Sequence, residues 1–234
     1  MRAAILVLLL LFAGPAVAAP LGETARSRAA EARVASRLAG EMTAAGLRLG
    51  APVFLRITKQ PAELELWVEQ SAGGAFTKFR TYPICAYSGA PGPKLRVGDG
   101  QAPEGFYAVG PGRMNPASAY HLSFDLGYPN AYDRSLGRTG SALMVHGNCV
   151  SIGCYAMGDA AIEEIWTAMA AAFRAGQPFV RVHAFPYRMD APGVNDPRNQ
   201  LFWANLKQGW DRFAQTKRPP DVSVTGRRYV FSGS

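Results

Sequence analysis

The hydrophobic period changes near residue 51, and this change is what most restricts the possible folds. Over residues 23–45 apolar side chains recur every four positions and Gly46 follows, which predicts an amphipathic helix and its end. From residue 51 the period becomes two. In residues 63–69, for example, Leu and Val alternate mostly with Glu, which predicts a half-buried strand. The chain is therefore expected to be mainly β, with helices flanking the strands.

Two further helices are predicted in the second half of the chain. Residues 160–175 carry apolar side chains on one face, and Asp159 is placed to cap them. Another helical pattern covers residues 202–213, and residues 222–231 are expected to form one last strand. Strands and helices do not alternate as βαβ units, so a doubly wound parallel sheet is not expected.

Residues 1–18 have the three parts of a secretory signal peptide. Arg2 is followed by an apolar run, and Ala16-Val17-Ala18 forms a small-residue cleavage site. The run is too short to span a bilayer, so no stable membrane insertion is expected after cleavage. The chain is thus predicted to be exported to the periplasm or cell envelope; an uncleaved anchor is the alternative.

The charge pattern argues against a nucleic-acid partner. The chain has 25 Lys and Arg against 17 Asp and Glu, a formal net charge of +8. The cations are neither clustered in a run nor interleaved with aromatic residues, as they are on single-strand binding surfaces. Guanidinium groups match carboxylates, so an Arg-rich surface suits carboxylate-bearing envelope polymers. Genome composition explains the arginine bias equally well.

Three cysteines are too few for a disulfide scaffold, and their odd number leaves at least one thiol unpaired. They are Cys85, Cys149 and Cys154. A disulfide between Cys85 and Cys149 and a reduced pair are both open at this point. In an exported protein the remaining thiol is a candidate for chemistry.

The segment from His146 to Cys154 contains the residues for nucleophilic catalysis. An imidazole can take the proton of a thiol, which makes the sulfur a nucleophile. Fully extended, the two residues would lie roughly 27 Å apart, so the chain must fold back for them to meet. Gly147 and Gly153 stand just inside the two ends, where they allow a tight reversal. Backbone N–H groups near Cys154 are expected to receive the oxyanion of an acyl intermediate.

This segment resembles the active-site signature of L,D-transpeptidases of the YkuD type. It is most similar to their YafK-like branch, through Ser151-Ile152-Gly153-Cys154-Tyr155-Ala156-Met157 and the upstream His146-Gly147. Further stretches resemble the same branch, at residues 82–89, 92–94, 103–107, 129–134, 178–189 and 222–231. Together they cover most of the chain that follows the predicted signal peptide.

The resemblance implies a mainly β, YkuD-like sandwich or barrel with an N-terminal helix and a C-terminal helical extension. It divides the chain into a signal peptide (1–18), an N-terminal helix (19–50), a catalytic domain (51–190) and an extension packed on that domain (191–234). It implies a secreted enzyme acting on peptidoglycan stem peptides, with a peptidoglycan-linked protein as a further candidate partner. No cofactor and no metal are implied.

The resemblance also implies roles for individual residues. Cys154 would attack a carbonyl at a meso-diaminopimelate residue and form a thioester, and His146 would move the proton. The Gly147 carbonyl would orient the imidazole, and Ser151 would hydrogen-bond near the thiolate. Gly153 completes the predicted catalytic set. The candidate substrate-binding residues are Lys94, Arg96, Tyr132 and Arg134.

Several interpretations remain open beside this one. Ile152 stands where many family members have a second His, which leaves both transfer of the acyl group to an amine and its hydrolysis as candidate reactions. The alternative functions are a non-catalytic module that binds peptidoglycan and a zinc-dependent hydrolase with His146, Cys149 and Cys154 as ligands. His121 and His183 are expected to be hydrogen-bonded structural residues.

Overall fold

The computed structural model describes residues 20–233, so the predicted signal peptide lies outside the described residues. Strands dominate this part of the chain, and the expectation of a mainly β fold with flanking helices is confirmed. The helices are α1 (Ala25–Ala44), α2 (Ala131–Ser135), α3 (Asp159–Arg174) and α4 (Gln200–Thr216). The strands are β1 (Val53–Gln60), β2 (Glu63–Glu69), β3 (Phe76–Pro83), β4 (Ala86–Tyr87), β5 (Gly105–Val109), β6 (Met114–Asn115), β7 (Ser123–Asp125), β8 (Met144–His146), β9 (Tyr155–Ala156), β10 (Val180–Tyr187), β11 (Asp221–Thr225) and β12 (Arg228–Ser232).

The strands form two five-stranded sheets and one hairpin. The first sheet has the order β3-β2-β1-β10-β5, and β1 pairs with β10 in parallel, whereas its other pairs are antiparallel. The second sheet has the order β4-β9-β8-β7-β6, with β8 and β9 parallel. Strands β11 and β12 pair only with each other. Within residues 20–233, no helix is long and apolar enough to cross a bilayer.

One hydrophobic core joins the inner faces of the two sheets and helix α3. Leu55 and Val182 enter it from the first sheet, and Val145 and Tyr155 enter it from the second. Since side chains alternate along a strand, the neighbours of these residues point away from the shared core. This alternation decides on which face each functional side chain of the second sheet lies.

Helix α1 has a reciprocal cap at its start and buries one face. The Thr24 hydroxyl accepts a hydrogen bond from the Ser27 N–H (3.2 Å), and the Ser27 hydroxyl accepts one from the Thr24 N–H (2.9 Å). Its buried residues include the apolar side chains that recur every four positions, Ala30, Val34, Leu38 and Met42. Arg33 pairs with Glu163 of α3 across the contact between the two helices. The helix predicted over 23–45 is thus observed at Ala25–Ala44.

Helix α4 covers the outer face of the first sheet. Phe213 packs on Phe54 of β1 (ring centroids 4.8 Å apart), and the Arg56 guanidinium lies 3.9 Å from the ring centroid of Trp210. A second cluster joins α4 to strands β5, β10 and β12. The large aromatic side chains of α4 are buried by these contacts, while the division of the chain into domains stays a prediction.

This cover explains why strand β2 differs from its predicted half-buried pattern. Glu65 and Trp67 are only 4% and 8% exposed, although the alternation placed them toward solvent. Glu65 accepts hydrogen bonds from Arg56 (2.6 Å) and from the Trp67 indole (2.9 Å), which satisfy its buried carboxylate. The strand is buried on both faces because α4 occupies what would otherwise be solvent.

Two smaller expectations are also corrected. Asp159 is the first residue of α3 and not its cap; the cap position is Gly158, whose φ of +76° suits glycine. Residues 222–231 are not one strand but a hairpin that turns at Gly226 and Arg227, both with positive φ. The Val, Tyr and Phe residues that predicted a continuous strand belong to its two arms.

Candidate active site

Parallel pairing of β8 and β9 brings His146 and Cys154 to the same face of the second sheet. Val145 pairs with Tyr155 and His146 with Ala156, so Cys154 stands opposite Met144 when the register is extended by one residue. Val145 and Tyr155 point into the core, and alternation therefore directs His146 and Cys154 away from it. Diagonal neighbours across paired strands are roughly 7–8 Å apart between Cα atoms. The segment that spans roughly 27 Å when extended is thus folded back.

The imidazole of His146 is held in one tautomer. Its Nδ1 lies 2.5 Å from the Gly147 carbonyl oxygen, which can only accept, so Nδ1 carries the proton and Nε2 is the basic nitrogen. The residue is 2% exposed, and its ring lies against Tyr120 (centroids 4.8 Å apart). Burial lowers the pKa of His146 below its ordinary value, with the Gly147 carbonyl acting in the opposite direction.

The thiol of Cys154 is half-buried and unpaired with another cysteine. Its Sγ accepts a hydrogen bond from the Met144 N–H (3.3 Å) and lies 3.8 Å from the Ala142 carbonyl oxygen. The pKa of the Cys154 thiol is raised above its ordinary value, and burial is the largest cause. Asp125 raises this pKa further, while the Met144 N–H and Lys94 lower it. Both shifts therefore favour the neutral imidazole and the neutral thiol.

Ser151 organises the turn that leads into Cys154. Its hydroxyl oxygen accepts hydrogen bonds from the N–H groups of Gly153 (3.2 Å) and Cys154 (3.0 Å), and its own O–H donates to the Cys154 carbonyl (2.8 Å). Ser88 adds a further hydrogen bond to this hydroxyl (3.0 Å). The hydrogen bonds of Ser151 thus go to the backbone of Gly153 and Cys154 and to the Ser88 hydroxyl, and its predicted role near the thiolate stays a prediction.

The same bonds bear on the predicted oxyanion site. The Cys154 N–H points at the Ser151 hydroxyl in this state, so it is not presented to an incoming carbonyl. Gly153 has φ of +148°, a conformation that suits glycine, and a Cβ there would lie 3.4 Å from Leu143. An oxyanion hole built on these two N–H groups requires the Ser151 hydroxyl to release them.

A disulfide joins Cys85 and Cys149, with their Cα atoms 5.3 Å apart. The sequence left a disulfide and a reduced pair open, and the structure has the disulfide. The bridge ties the segment after His146 to the start of β4, where the Cys85 N–H also donates to the Ala156 carbonyl (2.8 Å). Because Cys149 is bridged, it is not a thiolate ligand, and the zinc set of His146, Cys149 and Cys154 is not assembled.

The candidate substrate residues Lys94 and Arg96 lie in one loop but differ in environment. Lys94 is 5% exposed, and its ammonium group donates to Asp99 (2.6 Å) and to the Arg96 carbonyl (3.0 Å). Its charge thus stabilises the conformation of the loop. The ammonium group also lies near enough to Cys154 to lower the pKa of the thiol. The Arg96 side chain is exposed, and its role in substrate binding stays a prediction.

The other two candidates, Tyr132 and Arg134, belong to helix α2. Tyr132 is 6% exposed and stacks on Tyr229 (4.3 Å) and Phe202 (5.4 Å), so a substrate contact would require its ring to be uncovered. Arg134 is exposed and donates to the Pro129 carbonyl. Both residues face the C-terminal extension, and Arg134 lines a cavity described below.

The two remaining histidines have different surroundings. His121 Nε2 lies 2.8 Å from a Glu163 carboxylate oxygen, which agrees with a hydrogen-bonded structural residue. His183 is 1% exposed and packs edge-on against Phe54 and Phe106, with centroids 4.6 Å apart in both pairs. Aromatic rings therefore flank this imidazole, and it has no hydrogen-bond partner among residues 20–233, so the expected hydrogen bond is not observed.

Sequence reasoning missed Tyr120, Ser88 and Ser123 as neighbours of the site. Ser123 pairs with His146 across β7 and β8, and its buried hydroxyl has no hydrogen-bond partner among the described residues. A single serine or tyrosine in an irregular stretch has no periodic signal. The pairing of β7 with β8, which the sequence does not specify, places Ser123 beside His146, and Tyr120 lies against its ring. Ser88 reaches the site through its hydrogen bond to Ser151.

Comparison with known proteins gives a strong similarity in sequence and weaker similarities in structure. No family model matches the chain. A variant of the helical cell shape determining protein Pgp2 from Campylobacter jejuni has 20% identity and a TM-score of 0.47, covering 79% of this chain and 77% of its own. Bd1075 of Bdellovibrio bacteriovorus has 17% identity and a TM-score of 0.39, covering 70% and 56%. These likenesses are too weak to support an argument.

The sequence relationship is much closer. The Escherichia coli protein named "Putative L,D-transpeptidase YafK" is 44% identical over 189 residues, which are 79% of this chain and 75% of the relative. Identity at this level over most of both chains identifies the family, as the His146–Cys154 segment predicted. The chain belongs to the L,D-transpeptidase family, in which it is similar to YafK.

Proposed function

We propose that the protein is an exported peptidoglycan-modifying enzyme that uses Cys154 as nucleophile and His146 as general base. The observation that carries the proposal is the parallel pairing of β8 and β9, which places both side chains on one outer face of the second sheet. The relationship to an L,D-transpeptidase-named protein supports peptidoglycan as the substrate class. A thiol and an imidazole oriented by a third group are the parts that nucleophilic catalysis through sulfur uses.

The proposed reaction begins from the neutral pair. As the Cys154 sulfur attacks a peptide carbonyl at a diaminopimelate residue, the thiol proton passes to Nε2 of His146. The tetrahedral intermediate then breaks its C–N bond, the leaving amine takes the proton from the imidazolium, and a thioester remains on Cys154. The Gly147 carbonyl, 2.5 Å from Nδ1, stabilises the imidazolium that forms between these steps.

In the second half-reaction an amine or a water molecule attacks the thioester carbonyl. His146 removes a proton from the attacking group and returns it to the departing sulfur, which restores the thiol. Ile152, which stands directly before Gly153, is 93% exposed and offers no proton acceptor at a position where many family members have a histidine. The fate of the acyl group is therefore the part of the proposal that most needs a direct measurement.

The decisive experiment is a product analysis with diaminopimelate-containing muropeptides, with and without an added amine. Free acid products would indicate hydrolysis, and new amide links would indicate transfer. Cys154→Ala and His146→Ala should each lower turnover at least a hundredfold. His121→Asn is the matched control, because it removes an imidazole that pairs with Glu163. Unchanged turnover in Cys154→Ala would remove the mechanism.

The same experiment tests the alternative of a binding module. Such a module would retain muropeptides on the unmodified chain without forming any product, in the presence or absence of an amine. Export, which rests on residues 1–18, has its own test. A fusion of the full chain to a reporter that is active only in the periplasm should give signal, and deletion of residues 1–18 should abolish it.

A further inference from the structure

A cavity of about 420 Å³ lies between the first sheet and the C-terminal hairpin, away from the residues of the proposed mechanism. Its floor is formed by Phe106 of β5 and by Arg181 and His183 of β10, and β11 closes one side. Its volume is within the range of about 300–1,000 Å³ that is typical of ligand pockets. Such pockets are frequent where a main domain meets an added segment.

Three guanidinium groups line this cavity, each from a different part of the chain. Arg113 follows β5, Arg134 lies in α2, and Arg181 lies in β10. One lining carboxylate, Asp221, pairs with Arg181, so the lining retains two positive charges in excess. Arg113 has only a long contact with Asp125 (3.6 Å), and it is about half exposed. Arg134 forms no ion pair within residues 20–233.

A glycine in the loop after β7 leaves space for the Arg113 side chain at the cavity. Gly127 has φ of +82°, and a Cβ at this position would lie only 3.0 Å from the guanidinium carbon of Arg113. Glycine therefore allows the guanidinium to lie flat against the cavity wall. Opposite it, Asn130 donates to the Phe106 carbonyl (2.9 Å) and to the Tyr229 hydroxyl (2.8 Å), which fixes α2 against the hairpin.

The cavity adds an apolar surface to these charges. Phe106, Val222 and Val224 belong to its lining, and burial keeps the pKa of His183 well below the ordinary value, so its imidazole adds no charge. A ligand that fits must carry acidic groups and a carbon skeleton together. Guanidinium forks bind carboxylates in two-point geometry, and the apolar lining offers contacts that a bare inorganic anion cannot use, so the chemistry favours a short acidic peptide.

The floor of the cavity belongs to the first sheet, whereas Cys154 directly precedes β9 of the second. Val182 and Tyr107 point into this core, so Arg181 and Phe106 point out of the first sheet. By the same alternation Cys154 points out of the second sheet. A ligand in the cavity is therefore bound by residues other than those that perform the proposed chemistry.

We propose that this cavity is a second binding site for a carboxylate-bearing peptide of the stem-peptide class, separate from the catalytic centre. This inference rests on the proposed function for the identity of the peptide. Such a site would hold a neighbouring stem of the polymer while another stem reacts at Cys154. It would raise the local concentration of substrate without new contacts at the sulfur.

The test is calorimetric titration of the Cys154→Ala chain with a soluble disaccharide-tetrapeptide, which keeps the ligand intact. Two sites per chain are expected. Arg134→Gln and Arg113→Gln, each made in this background, should weaken one of the two sites about tenfold and leave the other unchanged. Arg48→Gln, which removes an exposed charge elsewhere, is the matched control and should retain both sites. Thermal unfolding of each variant shows that the fold is kept.

Two further titrations define the ligand chemistry. The same peptide with its carboxylates amidated should lose binding at this site, and inorganic phosphate should displace the peptide only at much higher concentrations. The proposal is overturned if the arginine variants bind as the control does, or if phosphate competes as well as the peptide. Turnover by the unmodified chain is measured separately, so loss of this second site leaves the proposed enzyme function standing.

Discussion

The protonation state of the two central groups gives a prediction that distinguishes two kinds of cysteine enzyme. Burial raises the pKa of Cys154 and lowers the pKa of His146, so both shifts favour the neutral thiol and the neutral imidazole. With an ordinary thiol pKa of about 8.5 as the lower bound, less than about 3% of the sulfur is thiolate at pH 7. A preformed thiolate–imidazolium pair, as in some cysteine proteases, would instead be almost fully ionised.

The expected result is a rate of alkylation by iodoacetamide that rises about tenfold per pH unit from pH 6 to pH 8. The structure supplies the physical reason, since the thiolate would be half-buried, with the Met144 N–H as its one close donor among residues 20–233, while Asp125 disfavours it. Intact-protein mass at timed points measures the rate. One adduct per chain is expected, because Cys85 and Cys149 are bridged.

His146→Ala is the informative variant in this assay. In a neutral pair the imidazole does not ionise the resting thiol, so its removal should change the alkylation rate at pH 7 by no more than about threefold. Turnover should nevertheless collapse, since proton transfer during the attack is lost. A rate that is flat between pH 6 and pH 8, together with a large drop in His146→Ala, would refute the reasoning and indicate a preformed ion pair.

Three stability predictions follow from buried polar groups, and urea denaturation measures each of them. Ser123→Ala should raise the free energy of unfolding by about 1 kcal/mol, because it removes a buried hydroxyl without a partner among residues 20–233; a lower value would mean that the hydroxyl is satisfied. Lys59→Met should cost about 3–5 kcal/mol, since it leaves Glu104 (3.0 Å away) as an uncompensated buried charge, and adding Glu104→Gln should recover part of the loss. Glu164 accepts hydrogen bonds from two arginines and a tyrosine that keep its pKa below the ordinary value. The ionised Glu164 therefore contributes fully to the free energy of unfolding above about pH 4.3, and this contribution disappears as the pH falls through the lower pKa of the folded state. Glu164→Gln should thus be less stable than the unmodified chain at pH 7 but not in strong acid.

The elements with a strong period were predictable from the sequence. Helices α1 and α4 were predicted within a few residues, because their apolar side chains recur on one face over four or more turns. Features that depend on packing against a distant element were not predictable from the sequence. The second buried face of β2 follows from α4, which lies more than 130 residues later, and no local pattern in residues 63–69 reveals that cover.

The candidate site divides in the same way. Cys154 and His146 were predictable because a thiol, an imidazole and two glycines occur together in one short segment. Lys94 was expected to meet substrate, but it is buried against Asp99, since a charge alone does not indicate its partner. Tyr132 was expected at the substrate as well, and its ring is stacked against Tyr229 of the hairpin. The sequence thus indicates the residue types of the candidate site, whereas the partners of each side chain depend on contacts that the sequence does not specify.

Three independent restraints account for how a segment with little secondary structure holds reactive groups in place. Its start is fixed because His146 belongs to β8 and its ring is bonded to the next carbonyl. The middle is fixed because the Cys149 disulfide fastens it to the start of β4. Its end is fixed because the Ser151 hydroxyl forms hydrogen bonds with the N–H and the carbonyl of Cys154. None of these restraints uses the Cys154 sulfur or the imidazole Nε2. The geometry of the site therefore depends on the segment between the two residues as much as on the residues themselves.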